Sequence, residues 1–279
     1  MRFIRSTVSA TSILASTIAP AQAERGTDGE LNILYWQAAS TLNPYLSGIA
    51  KEVEAASLVL EPLARFRPDG TLEAWLAADI PTLENGGISE DLRQITWSLK
   101  PDVLWSDGSP LTAADVVFTW QYCTDPEGGC AAQSYFFGVT SVEALDDVTV
   151  RITFDAPNPL PYTAFVSSEV PILNAAQFEG CTGTAAASCT EANFRPIGTG
   201  PFVVTDFKPN DVATFTANPN FRLPDRPAFE TVTLKGGGDA VSSARAVLET
   251  GEFDYAWNLQ VDPGVLAGME AAGNGSVYP

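Results

Sequence analysis

"DLRQITWSLKPDVLWSDGSPLTAADVVFTW", residues 91–120, is the stretch whose reading decides the fold. Ile95, Trp97 and Leu99 alternate with Gln94, Thr96, Ser98 and Lys100, the period of a half-buried strand. Pro101 has no N–H to give to a ladder and ends it. Asp107-Gly108 reads as a tight turn. Thr112 with Asp115 three residues on resembles a capping box, with Asp in place of Glu or Gln. Ala113, Val116, Val117 and Trp120 then share one helical face. The stretch predicts strand, turn and capped amphipathic helix.

Before it, Leu31–Trp36 reads as a buried strand, Asn43-Pro44 as a turn and Tyr45–Ala50 as loop. Lys51–Leu60 reads as a helix with Val53, Ala56, Leu60 and Leu63 on one side. Asp69-Gly70 marks a hairpin-like turn. After it, Val139–Leu145 and Val148–Phe154 alternate around Asp146-Asp147, a β-hairpin whose adjacent carboxylates are explained by turn chemistry. A short helix is expected near Asn174–Phe178. In Pro196-Ile-Gly-Thr-Gly-Pro-Phe202 no helix with a basic residue follows, so the glycines predict close backbone packing in place of a phosphate loop. Val241–Glu249 reads as helix and Tyr255–Asn258 as strand, and Gly275–Pro279 as the start of another strand.

Composition limits the function. Arg2 and Arg5, an apolar run from Val8 to Ala19 and Ala21-Gln-Ala23 form a secretory signal pattern, with cleavage expected after Ala23 and no cysteine there for a lipid anchor. The 15 basic residues less Arg2 and Arg5 leave 13 against 34 acidic ones, a net of −21 for the mature chain. Nucleic acid and anionic membranes carry the same sign and are excluded as partners. Cys123, Cys130, Cys181 and Cys189 allow three pairings. The close pairs bracket "CTDPEGGC" and "CTGTAAASC", which favours Cys123–Cys130 and Cys181–Cys189. Cys-x-x-Cys spacing and histidine are both absent, so no metal site is expected.

The 91–120 stretch, the Leu42-Asn-Pro44 loop, Gly198-Thr-Gly-Pro-Phe202, "ATFTANPNFR" and Gly251-Glu-Phe-Asp254 stand in the order of a known pattern. They resemble the family 5 extracellular solute-binding proteins of ABC transporters, of the oligopeptide- and dipeptide-binding type. Two departures are Asp102, where the family usually has Gly, and Glu73-Ala-Trp-Leu-Ala77, where Pro-x-Leu-Ala is commoner.

The resemblance implies an α/β fold of the type II periplasmic binding protein kind. Residues 24–55 and 195–279 would form a mixed-sheet main lobe and 56–194 an inserted smaller α+β subdomain. Family members are longer, so the chain is expected to be an N-terminal fragment whose second lobe lies beyond it. The implied function is capture of a peptide or other small solute in the periplasm, as a monomer, and delivery to ABC permease subunits, with no cofactor and no catalysis. Family contact segments map onto Tyr45, Leu46 and Ser47 (backbone groups), Tyr135 and Phe136, and Trp257 and Asn258. Other solutes on the same scaffold are an oligosaccharide, nickel or haem. Trp36, Trp75, Trp97, Trp105, Trp120 and Trp257 offer rings for sugar stacking, though core packing accounts for most of them. A secreted hydrolase is the alternative class. Without histidine a Ser-His-Asp or Cys-His site cannot be built, which leaves only carboxylate chemistry of the glycosidase kind.

Overall fold

The computed structural model describes residues 28–257 and 260–278. The expected signal segment 1–23 and the candidate Asn258 lie outside them. In chain order the strands are β1 Glu30–Tyr35, β2 Ala64–Phe66, β3 Leu72–Ala74, β4 Gln94–Ser98, β5 Val139–Ala144, β6 Thr149–Phe154, β7 Phe202–Lys208, β8 Val212–Ala217, β9 Thr231–Gly236 and β10 Tyr255–Trp257. The α-helices are α1 Ala50–Ala56, α2 Ala113–Thr124, α3 Thr190–Phe194, α4 Ala240–Leu248 and α5 Pro263–Glu270.

Strand β4 forms as the alternation predicts, with Ile95, Trp97 and Leu99 buried. It pairs antiparallel with β6, which pairs with β5 across the Asp146-Asp147 turn. Ala113 N–H donates to the Asp147 carbonyl at 2.8 Å, so the cap of α2 docks on that hairpin. Thr112 N–H donates to Asp115 Oδ2 at 2.9 Å, and Asp fills the capping-box role. Asp115 Oδ1 also accepts from Ala175 N–H at 3.0 Å.

The buried stripe of α2 is rotated from the expected one. Ala113 and Val116 are buried, Val117 and Trp120 are half-buried, and Thr119, Tyr122 and Cys123 take the inner face. Thr119 tolerates burial because its hydroxyl donates to the Asp115 carbonyl at 2.7 Å and accepts from Leu173 N–H at 2.9 Å. Asp102 has φ 59°, in the left-handed region that glycine favours and that Asp tolerates.

A five-stranded mixed sheet runs β10-β1-β9-β8-β7. β1 is parallel to both β9 and β10, while β8 is antiparallel to β9 and β7. Asp254 anchors the start of β10, since Asn32 N–H donates to its carboxylate at 2.8 Å and its own N–H donates to the Asn32 carbonyl at 2.9 Å.

Among the described residues, buried apolar side chains gather in three clusters. The largest holds Tyr45 and residues between Ala56 and Ala192. The second lies on the large sheet and takes Tyr35, Ala39, Leu42, Ala55, Val59 and residues from Phe202 to Leu234. Ala55 and Ala56 are neighbours in α1 but belong to different clusters, so this helix stands between the two cores. A third, small cluster joins α4 to α5.

Helix α1 stops at Ala56, short of the expected Leu60. The Leu58 and Val59 carbonyls are instead taken by Phe202 N–H at 3.1 Å and Gly200 N–H at 2.8 Å. The glycines make this possible: a Cβ on Gly198 would lie 1.9 Å from the Val59 carbonyl oxygen, and one on Gly200 2.6 Å from it. The close packing expected of Gly-Thr-Gly is thus present. Asn174–Phe178 makes a single turn, closed by Phe178 N–H on the Asn174 carbonyl, and no helix. Residues 275–278 do not form a strand; Val277 packs with α4 and α5 and donates its N–H to Glu270 at 2.9 Å. Both short loops are closed by disulfides, Cys123–Cys130 and Cys181–Cys189, with Cα separations of 5.1 and 5.8 Å.

Candidate functional site at the carboxyl rim of the parallel strands

Open sheets bind ligands outside the carboxyl ends of parallel strands, where the strand order switches. Here β9, β1 and β10 end at one rim, with β1 seated between two strands that α4 connects. Alternation sends successive side chains of β1 to opposite faces. Tyr35 turns inward, and its hydroxyl donates to Glu54 on α1. Burial, and then Glu54, push its phenol far above the ordinary tyrosine value. Trp257, its register partner on β10, lies against it with ring centroids 5.4 Å apart and planes tilted by 47°. β1 ends at Tyr35, one residue short of the expected Trp36, which lies in a bend beyond the strand and is 41% exposed, with Gln37 exposed beside it. The outer edge of β10 pairs with no described strand.

The segment that follows is fixed by Asn43, which is fully buried. Its amide donates to Tyr122 OH at 2.9 Å and to Asn193 Oδ1 at 2.8 Å, and its Oδ1 accepts from Tyr45 N–H at 3.0 Å. Tyr45 therefore has no group left for a solute. Its ring is in the core, its hydroxyl donates to the Pro171 carbonyl at 2.6 Å, and its carbonyl accepts from Ala131 N–H at 2.8 Å. Leu46 is half-buried against the same core and gives its N–H to the Asn43 carbonyl at 3.1 Å. Ser47 is half-buried and hydrogen-bonds to no described residue, so its backbone remains free for a ligand.

The Ala131–Tyr45 bond brings this segment beside the one-turn 3-10 helix Gln133–Phe136. Phe136 is core, edge-on to Phe165 at 5.1 Å, because the helical turn points it inward. Tyr135 is half-buried; burial raises its phenol and the Glu169 charge adds to this. The aromatic that reaches solvent here is Phe137, 88% exposed. It helps line a shallow cavity of about 460 Å³ with Thr124, Gln133, Ser134, Phe136 and Gly138.

Tyr45–Ser47 and Tyr135–Phe136 are thus neighbours, and Trp257 stands apart on the sheet. Among the described residues no hydrogen bond or ring contact joins Trp257 to either segment. Gln37 is absent from the sequence-based site, and Trp36 enters it only among the six rings offered for sugar stacking. The sequence reading puts Trp36 inside a buried strand, and the early end of β1 at Tyr35 is what exposes it. Among the described residues no three His, Cys, Asp or Glu side chains gather to hold a metal.

Residues 71–271 match the model of the bacterial extracellular solute-binding proteins, family 5. The chain belongs to this family. It is 32% identical over 218 residues to Protein XP55 of Streptomyces lividans, covering 77% of this chain and 36% of that protein. It is 28% identical to the nickel-binding periplasmic protein of Escherichia coli K12, covering 76% and 38%.

Among solved structures, NikZ from Campylobacter jejuni in complex with Ni(L-His) aligns with TM-score 0.68 at 27% identity, covering 81% of this chain and 42% of that one. Haemophilus influenzae OppA in complex with RPPGFSPFR aligns with TM-score 0.73 and 20% identity over 87% and 48%, a likeness of fold. The fold is that of type II periplasmic binding proteins. The chain spans less than half the length of the relatives it matches. Family 5 proteins bind small solutes and deliver them to ABC permeases, and their named relatives are binding proteins. No helix among the described residues is long and apolar enough to cross a membrane.

Proposed function

We propose that this chain supplies one side of a peptide-binding cleft, captures short peptides in the periplasm after loss of residues 1–23, and passes them to an ABC permease. The observation that carries this reading is the rim where β10 keeps an unpaired outer edge and the neighbouring β1 runs out into exposed Trp36 and Gln37. An extended peptide adds to such an edge through its main chain, with its side chains on alternate faces. The absence of histidine from the sequence separates this rim from imidazole ligation of nickel by the protein itself.

In this reading residues 24–55 and 195–279 form the main lobe and 56–194 the inserted subdomain. A second lobe closes over the rim by a hinge motion that the solute stabilises. The protein acts as a monomer and makes or breaks no bond in its cargo. The peptide contacts Trp36, Gln37, Ser47, Tyr135 and Trp257, with Asn258 following Trp257 in sequence.

The test is native mass spectrometry of the full-length protein purified from its periplasm. Peptide masses released on denaturation are the expected result. A sugar-derived solute or a metal chelate in their place overturns the peptide assignment and leaves the family intact.

A further inference from the structure

The rim carries ligand chemistry only if the loop after β1 holds Trp36 and Gln37 in place, and that loop is fixed from three sides. Lys51 Nζ donates to the Ala38 carbonyl at 2.7 Å and to Glu52 Oε1 at 2.7 Å. Glu52 Oε1 also accepts from Ser40 N–H at 3.1 Å and Ser40 Oγ at 2.8 Å. Asn210 N–H donates to the Ala39 carbonyl at 2.8 Å. Under the loop, a Cβ on Gly236 would lie 2.1 Å from Ala38 Cα, so only glycine lets β9 end flat against it.

The charged pair is buried, with side-chain exposures of 12% for Lys51 and 1% for Glu52. Glu52 Oε2 has no hydrogen-bond partner among the described residues. Burying two charges is costly, and a pair that leaves one oxygen unsatisfied is a poor device for stability alone. What the pair does achieve is direction: both charges act on the two sides of one three-residue loop, Ala38–Ser40.

We propose that Lys51 and Glu52 are positioning residues for the solute site, setting the path of Ala38–Ser40 and through it the placement of Trp36 and Gln37. This rests on the rim being the binding surface. The test uses the full-length protein, a pool of synthetic tri- to pentapeptides, and amide hydrogen exchange.

Lys51→Met is expected to speed exchange at residues 37–41 at least tenfold, leave Ile95–Leu99 unchanged, and weaken peptide affinity about tenfold. Lys51→Arg restores most of both. Ser40→Ala, which removes one hydroxyl and keeps the buried charges paired, gives the same pattern on a smaller scale should Lys51→Met fail to fold. Unchanged exchange at 37–41 overturns the proposal, as does faster exchange with full affinity. Trp36→Ala and Trp257→Ala separate the two readings. If they weaken binding and the Lys51 variants do not, positioning fails and the rim stands. If neither weakens binding, the rim reading fails and the proposal with it. If the wild-type protein takes up no peptide from the pool, the peptide assignment fails and exchange at 37–41 alone decides whether the pair positions the loop.

Discussion

Replacing Arg222 by Met tests how the large sheet is tied to the core beyond Ala56. Glu61 is 2% exposed, and its Oε2 accepts from Arg222 Nη1 at 2.6 Å and from Thr199 Oγ1 at 2.9 Å. Its Oε1 accepts from Trp75 Nε1 at 2.6 Å. The guanidinium also lies 5.3 Å from the Trp75 ring and 5.1 Å from that of Phe221. Met keeps much of the apolar stem but leaves a buried carboxylate with two neutral donors. Removing one partner of a buried pair costs roughly 3–5 kcal/mol, so a loss of about 3 kcal/mol is expected. The Glu61→Gln/Arg222→Met double variant removes the stranded charge and should recover about 2 kcal/mol of it. Urea unfolding of the full-length protein, followed by tryptophan fluorescence, measures both. A single variant within about 1 kcal/mol of wild type, or a double variant no better than the single, would refute the reasoning.

The Gly198→Ala variant places a methyl against backbone that cannot yield, and about 3 kcal/mol or more should be lost; an unshifted urea midpoint would contradict the close packing at Val59. Asp102→Gly removes a left-handed strain at φ 59° and should gain about 0.5 kcal/mol, read as a higher thermal midpoint. Burial holds the phenols of Tyr45 and Tyr122 above the ordinary tyrosine value. The folded state therefore keeps protons that the unfolded chain releases near pH 10. Stability should be full below about pH 10 and fall as pH rises through that value. Urea midpoints from pH 8 to pH 11 check this, with Tyr45→Phe expected to flatten the fall.

Much of the architecture was legible because it is local. Alternation gave β4 and the β5–β6 hairpin, and the Thr112–Asp115 spacing gave the start of α2. The loop lengths between cysteines gave both disulfides, and Gly198-Thr-Gly200 announced a close approach without naming what approaches. The early end of α1 was not legible, because the groups that draw off the Leu58 and Val59 carbonyls, Phe202 and Gly200, lie more than 140 residues later. The same holds for the site. The family resemblance offered the backbone of Tyr45 to a solute, but its N–H is taken by Asn43 and its carbonyl by Ala131. Phe136 and Phe137 are adjacent aromatics, and only the direction of one 3-10 turn decides that the first is core and the second exposed.

By itself, then, the sequence offered the family through the resemblance of its motifs, and it gave the elements between Gln94 and Phe154 and the excess of negative charge. The elements and the charge follow from periodicity, spacing and composition, which any segment carries within itself. The tertiary structure alone decided which aromatics face solvent, where Lys51 and Glu52 grip the loop after β1, and how Glu61 meets Arg222. Each of these depends on groups distant in sequence competing for the same buried donors and acceptors, and the winner is known only once they share one space.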